Sequence, residues 1–172
     1  TSGAAGGGIV LISAKKMNPT TAKILANGDS VTMTAGNDGA GGAGAGGSVL
    51  LECPSPAGLT IEAKGGKGGD NNSAPIPSQC NPTGGGGGGG LVYTSSLAGI
   101  TTAVAGGGNG NMTNPFSNCP QAPNLYLGTP GTDGGLLTGL MLPWANALPL
   151  ALKLDQLNIL PGNCTSVMDS LH

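Results

Sequence analysis

Three stretches decide the fold: Gly6-Gly7-Gly8-Ile9-Val10-Leu11-Ile12, Gly46-Gly47-Ser48-Val49-Leu50-Leu51 and Gly88-Gly89-Gly90-Leu91-Val92-Tyr93. In each, a block of glycine runs straight into a short apolar strand. With Ile9, Val49 and Leu91 taken as equivalent, the spacings are 40 and 42 residues. A second alternating segment follows each strand: Val31 to Gly36, Leu59 to Gly65 and Ile100 to Gly106. The period of two puts Leu59, Ile61 and Ala63 on one face and Thr60, Glu62 and Lys64 on the other. A strand-rich repeat of this length belongs to stacked architectures, in which neighbouring units together bury what one unit cannot. The fold expected is therefore all-β, a Gly-rich stacked repeat that is β-solenoid-like or a β-sandwich with polyglycine-type segments. The run Gly84 to Gly90 is too long for one turn and reads as an extended, polyproline-II-like segment.

Working outward, residues 1–110 form a Gly-rich β-repeat domain of three units, about 1–40, 41–83 and 84–110. Residues 111–135 are a Pro-rich connection, and 136–172 an apolar C-terminal strand segment. In that tail Leu148, Leu150, Leu152 and Leu154 fall on one face, and Leu157 and Ile159 continue it after a slip of the bulge type. Residues 134–152 are uncharged and long enough for a bilayer, but Pro143, Asn146 and Pro149 favour the strand reading over a membrane span. The stack has no obvious polar cap, so the tail is expected to pair with another subunit and build a filament.

Composition excludes several functions. The chain has 172 residues with 35 Gly and 13 Pro, yet 38% are hydrophobic and only 8% charged, a balance that argues against disorder. With one Trp, one Phe and two Tyr, aliphatic and small residues must fill the core. All six basic residues are Lys, and the formal net charge is −2, which leaves no basic patch for nucleic acid. The single histidine is the last residue, His172, a poor place for a preorganised base. No catalytic residues and no cofactor are expected.

Cys53, Cys80, Cys119 and Cys164 show no CxxC and no nearby His, and read as two disulfides in an oxidising, extracellular compartment. Of the three pairings open to four cysteines, Cys53–Cys80 with Cys119–Cys164 would pin the irregular insertions beside their flanking strands. A leading Thr1 without Met fits a mature chain whose export signal has been removed. Thr1 has no basic partner nearby to make it a nucleophile.

Other motifs are cheaper. Gly39 to Gly44 matches GxGxxG by composition alone, with no helix pattern after it. Asp38 and Asp70, in Gly/Asp turns, are weak calcium ligands without the nine-residue regularity of calcium-binding rolls. Thr32 and Thr34 form a T-x-T pair, the beginning of an ice-binding face that the other units do not continue. Asn71, Asn111 and Asn163 sit in N-x-S/T sequons.

The succession GGSVLLEC, LTIEAKGGKGGDNN, an insertion containing Cys80, then GGGGGGGLVYTSS resembles Gly-rich repeat regions of Bacteroidota cell-surface proteins, including gliding-motility adhesin-like proteins. The resemblance covers residues 1–110. It implies export by the type IX system and a place at the cell surface. It also implies O-glycosylation at Ser30 and Ser170, which lie in D-S-aliphatic motifs. Together these readings give a secreted structural protein, a homo-oligomeric subunit of an extracellular filament or cell-surface layer. The alternative is a monomeric adhesin or binding module that presents loops to a surface or glycan.

Overall fold

The apolar run after each glycine block forms a strand, and each strand pairs with its counterpart one unit away. The computed structural model describes residues 1–18, 21–36, 38–56, 58–72, 80–113 and 126–142. The strands are β1 (Ile9–Ser13), β2 (Lys23–Leu25), β3 (Ser48–Glu52), β4 (Leu59–Glu62), β5 (Asn71–Asn72), β6 (Leu91–Thr94), β7 (Ile100–Ala103), β8 (Met112–Thr113) and β9 (Gly135–Thr138). They make a four-stranded sheet β1-β3-β6-β9, a three-stranded sheet β2-β4-β7 and a two-stranded sheet β5-β8, every pairing parallel. Each unit thus has an ascending arm, glycine segment then strand, and a descending arm, strand then glycine segment.

The register differs from the sequence alignment by one residue. Val49 pairs with Val10 and Val92, not with Ile9 and Leu91. This slip puts Val10, Val49 and Val92 on the inner face and leaves Ile9 82% exposed, because one residue of shift reverses the faces of a strand. The inner residues Val49, Leu51, Cys53, Leu59, Ile61, Ala63 and Val92 join Ala26 in one buried cluster, with Val10, Ile12, Ile24 and Ile100 packed against it. Burying each of the larger aliphatic side chains contributes about 1.5–3 kcal/mol. The first unit's second strand is Lys23–Leu25 rather than the segment from Val31, since Ile24 is the residue in register with Ile61. Val31 instead donates its N–H to Lys67 O, within the glycine segments. β9 adds a fourth ascending arm, and the compact unit runs from Thr1 to Leu142, past the boundaries expected at 110 and 135.

The expected fold class is corrected. A β-sandwich is built from antiparallel sheets, and here all three sheets are parallel. A solenoid would carry strand ladders round each coil, whereas these strands are only two to five residues long. Parallel sheets are the mark of α/β folds, where helices cover them. Here the sheets are of that kind, no helix occurs among the described residues, and glycine segments carry the chain between strands.

The glycine segments are ordered by backbone hydrogen bonds that recur every third residue. On the ascending arms Ala4 and Gly7 donate to Gly42 O and Ala45 O, Ala43 and Gly46 to Gly85 O and Gly88 O, and Gly86 and Gly89 to Thr129 O and Thr132 O, all at 2.8–3.0 Å. Descending arms follow suit, Gly28 and Val31 donating to Lys64 O and Lys67 O, and Gly65 and Gly68 to Ala105 O and Gly108 O. Three residues per turn is the polyproline-II period. A further set crosses between the two layers of arms, Gly44 N–H to Asp29 O and Gly47 N–H to Ala26 O, then Gly87 N–H to Gly66 O and Gly90 N–H to Ala63 O. Residue numbers rise on one partner as they fall on the other, so the two layers run antiparallel. Such packing requires bare backbones: a Cβ on Gly87 would stand 1.9 Å from Gly44 O. The turns into β4 and β7 also use glycine, with Gly58 at φ 76° and Gly99 at φ 73°, where a side chain is strained.

The disulfide expectation is corrected as well. Cys53 is a free, fully buried thiol, continuing the inner face of Val49 and Leu51. Ser95 holds it there, its Oγ accepting from Cys53 N–H and donating to Cys53 O at 2.9 Å each. The residue behaves as a small core hydrophobe. Cys80 is disulfide-bonded, but not to Cys53, so no disulfide joins two described residues. Cys119 and Cys164 lie outside the described residues.

Two outcomes follow from this packing. Gly87→Ala should destabilise by about 1–3 kcal/mol through overpacking. Gly88→Ala, whose Cβ would stand 3.8 Å from Thr132 O, should leave the melting temperature unchanged or raise it slightly. Equal losses for both variants in thermal melts would contradict the threefold packing. Cys53, for its part, should resist alkylation in the folded protein and be labelled on unfolding without reductant, as read by peptide mass mapping.

Candidate functional site

The residues singled out in the sequence fall mostly on the outer side of the descending arms, where they cap backbone. In that layer three outward N–H groups are closed by side chains of the unit before. Lys64 N–H donates to Asn27 Oδ1 at 2.7 Å, Lys67 N–H to Ser30 Oγ at 2.8 Å, and Asn111 N–H to Asp70 Oδ1 at 2.7 Å. Ser30 is exposed, so its hydroxyl is reachable although it already accepts one bond. Asn111 is exposed just before β8. Asn71 is fully buried on β5, its Nδ2 donating to Asp38 O at 2.8 Å, which removes it from the glycan acceptors. Asn163, Ser170 and the whole proposed assembly strand, Leu148 to Ile159, lie outside the described residues.

Asp38 and Asp70 do not form a cation site together. Asp38 Oδ1 accepts from the adjacent Gly39 N–H at 2.7 Å, an ordinary turn bond. Asp70 is engaged by Asn111 N–H and by Lys67 Nζ, and those two bonds hold its carboxyl below the usual aspartate range. Glu62 is lowered too, first by its bond to Lys64 at 2.6 Å and then by Asn27. Among the described residues no group of three or more His, Cys, Asp or Glu could hold a metal ion. Thr1 is clamped by backbone, its amine donating to Gly39 O and its Oγ1 accepting from Gly41 N–H at 2.8 Å.

Sequence reasoning expected an uncapped stack but did not place its two ends. β1 and β9 are the edge strands of the four-stranded sheet. Ser48 N–H bonds Gly8 O and Ala14 N–H bonds Glu52 O, so strand alternation leaves the N–H and C=O of Ile9, Leu11 and Ser13 on the open side. Leu11 is 51% exposed, and at the far edge Leu136 and Leu137 are 41% and 50% exposed. The glycine half of that far end is closed differently. Pro130 follows Thr129, which accepts from Gly86, and stands where the next upward N–H would be. Asp133 Oδ1 takes the N–H of Gly106 at 2.9 Å. Proline and carboxylates at an edge are devices that block strand addition. The signal was in the sequence, as Pro and Asp replacing Gly in the last glycine segment, but 111–135 reads as a connection until β9 is seen to pair with β6.

No family model, no curated protein and no solved structure matches the chain. No helix among the described residues is long and apolar enough to cross a membrane.

The Asp70 pairings set a pH dependence. A carboxyl with a folded pKa below its unfolded value stabilises fully above the unfolded value, about 3.9, and that stabilisation is lost as pH falls through the lower folded value. Asp70→Asn should therefore be less stable than wild type at pH 7, and the gap in urea midpoint should close between pH 4 and 2. A gap that stays constant down to pH 2 would show that the charge at Asp70 contributes nothing.

Proposed function

We propose that the protein is a secreted structural element, a non-catalytic subunit of an extracellular filament or cell-surface layer that associates end to end through strand contacts. One observation carries this reading: among the described residues the four-stranded parallel sheet ends on two unpaired edges, β1 and β9, each with exposed apolar side chains. Parallel addition of one copy's β1 to another's β9 would continue the register already repeated between β1, β3, β6 and β9, and bury Ile9, Leu11 and Leu136. A head-to-tail contact of this type propagates rather than closes unless its rotation makes a ring. The disulfide at Cys80 supports an oxidising compartment, as does the resemblance to type IX cargo.

The alternative, a monomeric adhesin or binding module, is favoured by Pro130 and Asp133, which blunt the glycine half of the far end. On that reading the last arm is a cap, and the exposed loops meet a surface or glycan.

Edge substitution separates the two. Ile9→Lys with Leu11→Lys places charges on side chains that point outward from β1 and leaves the inner Val10 and Ile12 alone. Wild type should sediment as a polymer whose size grows with concentration, and the double variant as a monomer with an unchanged melting temperature. A wild type that stays monomeric at millimolar concentration would exclude the filament and leave the binding module standing.

A further inference from the structure

The outer side of the ascending glycine segments is built almost wholly of glycine and alanine. Its outward positions are Gly3 and Gly6, Gly42 and Ala45, then Gly85 and Gly88 on three successive arms. Packing within the chain does not require glycine at most of these positions, although a Cβ on Gly3 or Gly85 would stand 3.3 Å from a carbonyl oxygen. A Cβ on Gly6, Gly42 or Gly88 would sit at ordinary contact, 3.6–3.8 Å from the nearest carbonyl. Equivalent positions on the descending arms carry Asn27, Ser30, Lys64 and Lys67, whose side chains cap N–H groups or pair with Glu62 and Asp70. One face of the glycine bilayer therefore carries charged and capping side chains on its first two arms, and only its third, with Ala105 and Gly108, is bare. The other is flat and uncharged.

That flat face is also open in its hydrogen bonding. Among the described residues the N–H groups of Gly42, Ala45, Gly85 and Gly88 have no partner, nor do the carbonyls of the residues that follow each of them. Their other neighbours fix the geometry. Gly86 donates up its own layer to Thr129 O, and Gly87 donates inward to Gly66 O. With three residues per turn, the N–H of Gly85 and Gly88 must then point outward. The face so presents alternating donors and acceptors in rows, the same lattice valence that the inner side of this layer uses to hold the descending arms. An antiparallel copy of the layer, related by a two-fold axis along the stacking direction, sets donors against acceptors. A copy related by an axis along the arms would set donor against donor.

We propose that this face is a lateral interface with a second copy of the chain, glycine layer against glycine layer and antiparallel, extending the lattice from two layers to four. Three or four arms about 4.8 Å apart and some seven residues long give roughly 300–450 Å² per copy. A standard interface buries about 800 Å² per partner, so a single pair associates weakly. Repetition along an end-to-end assembly makes the contact strong through effective concentration. Its strength in a polymer rests on the filament reading, while its existence does not.

Cysteine cross-linking tests it. Gly42→Cys and Ala45→Cys, one helical turn apart on the flat face, are mixed in equal amounts and mildly oxidised. Lys64→Cys and Lys67→Cys, on the opposite face where side chains cap both N–H groups, serve as the control, and linked peptides are read by mass spectrometry. The flat-face mixture should cross-link at least tenfold faster than the control. Adding Gly88→Glu, which stands outward without an internal clash, should abolish the excess and leave the melting temperature unchanged. End-to-end stacking cannot imitate this result, because equivalent residues in successive copies are separated by about four strand spacings, near 19 Å, well beyond disulfide reach. Equal rates for both faces, or rates insensitive to Gly88→Glu, would overturn the proposal. So would a large loss of thermal stability on Gly88→Glu, since it would mean that the face is covered from within its own chain.

Discussion

Close approach of bare backbones is the constraint on which the structure depends. Gly44, Gly87 and Gly107 each stand where a Cβ would fall within 2 Å of a neighbouring carbonyl oxygen. That proximity lets Gly87 N–H reach Gly66 O, and Gly107 N–H reach Gly87 O, so one segment is tied to several others at once. Ordering a glycine costs more conformational entropy than ordering any other residue. The lattice offsets that cost because inward-facing peptide groups find partners, at about 0.5–1.5 kcal/mol net per bond, and because adjacent strands bury a conventional aliphatic cluster.

Both halves of a unit need the other. The sheets alone are short, and the buried cluster draws on only a few large side chains, chief among them Val49, Leu51, Leu59, Ile61 and Val92. The glycine segments alone have no side chains to exclude water or fix their register. Joined end to end, the strands set the register through Val10, Val49 and Val92, and the glycine segments inherit it: Gly7, Gly46 and Gly89 donate to Ala45 O, Gly88 O and Thr132 O, each time the residue just before the equivalent position one arm further on.

Much of this is legible in the sequence, but not all of it. Glycine blocks leading into strands, the repeat near 40 residues and the extended character of Gly84 to Gly90 can all be read directly. Register cannot, because Ile9-Val10-Leu11-Ile12 is apolar on both faces and only pairing decides that Val10 points inward. The first descending strand was obscured by Val31-Thr32-Met33-Thr34, whose alternation is strand-like. What fixes Lys23-Ile24-Leu25 instead is its partner, Ile61, on β4. An even number of cysteines says nothing about which face each occupies, and Cys53 falls on the inner one. The site was less legible than the fold, since an open edge or an uncapped face belongs to the assembled stack and to no single motif.

Polar side chains follow the same logic. Asn27, Ser30 and Asp70 each close an N–H of the next unit on the descending side, and Asp133 closes Gly106 N–H at the far end. Thr83 Oγ1 accepts from Gly128 N–H at 2.9 Å, and Thr1 Oγ1 from Gly41 N–H. A peptide group on such a lattice has three fates: it meets another backbone, a capping side chain or solvent. Capping side chains are short and polar, and most of them, Thr83 apart, stand where the position faces out of the lattice. Where outward positions are left as Gly or Ala, as on the ascending side, a peptide group can be satisfied only by water or by another backbone of the same kind. Charged and capping side chains thus gather on the descending side, at Asn27, Ser30, Lys64, Lys67 and Asp70, while the ascending side keeps its outward peptide groups bare.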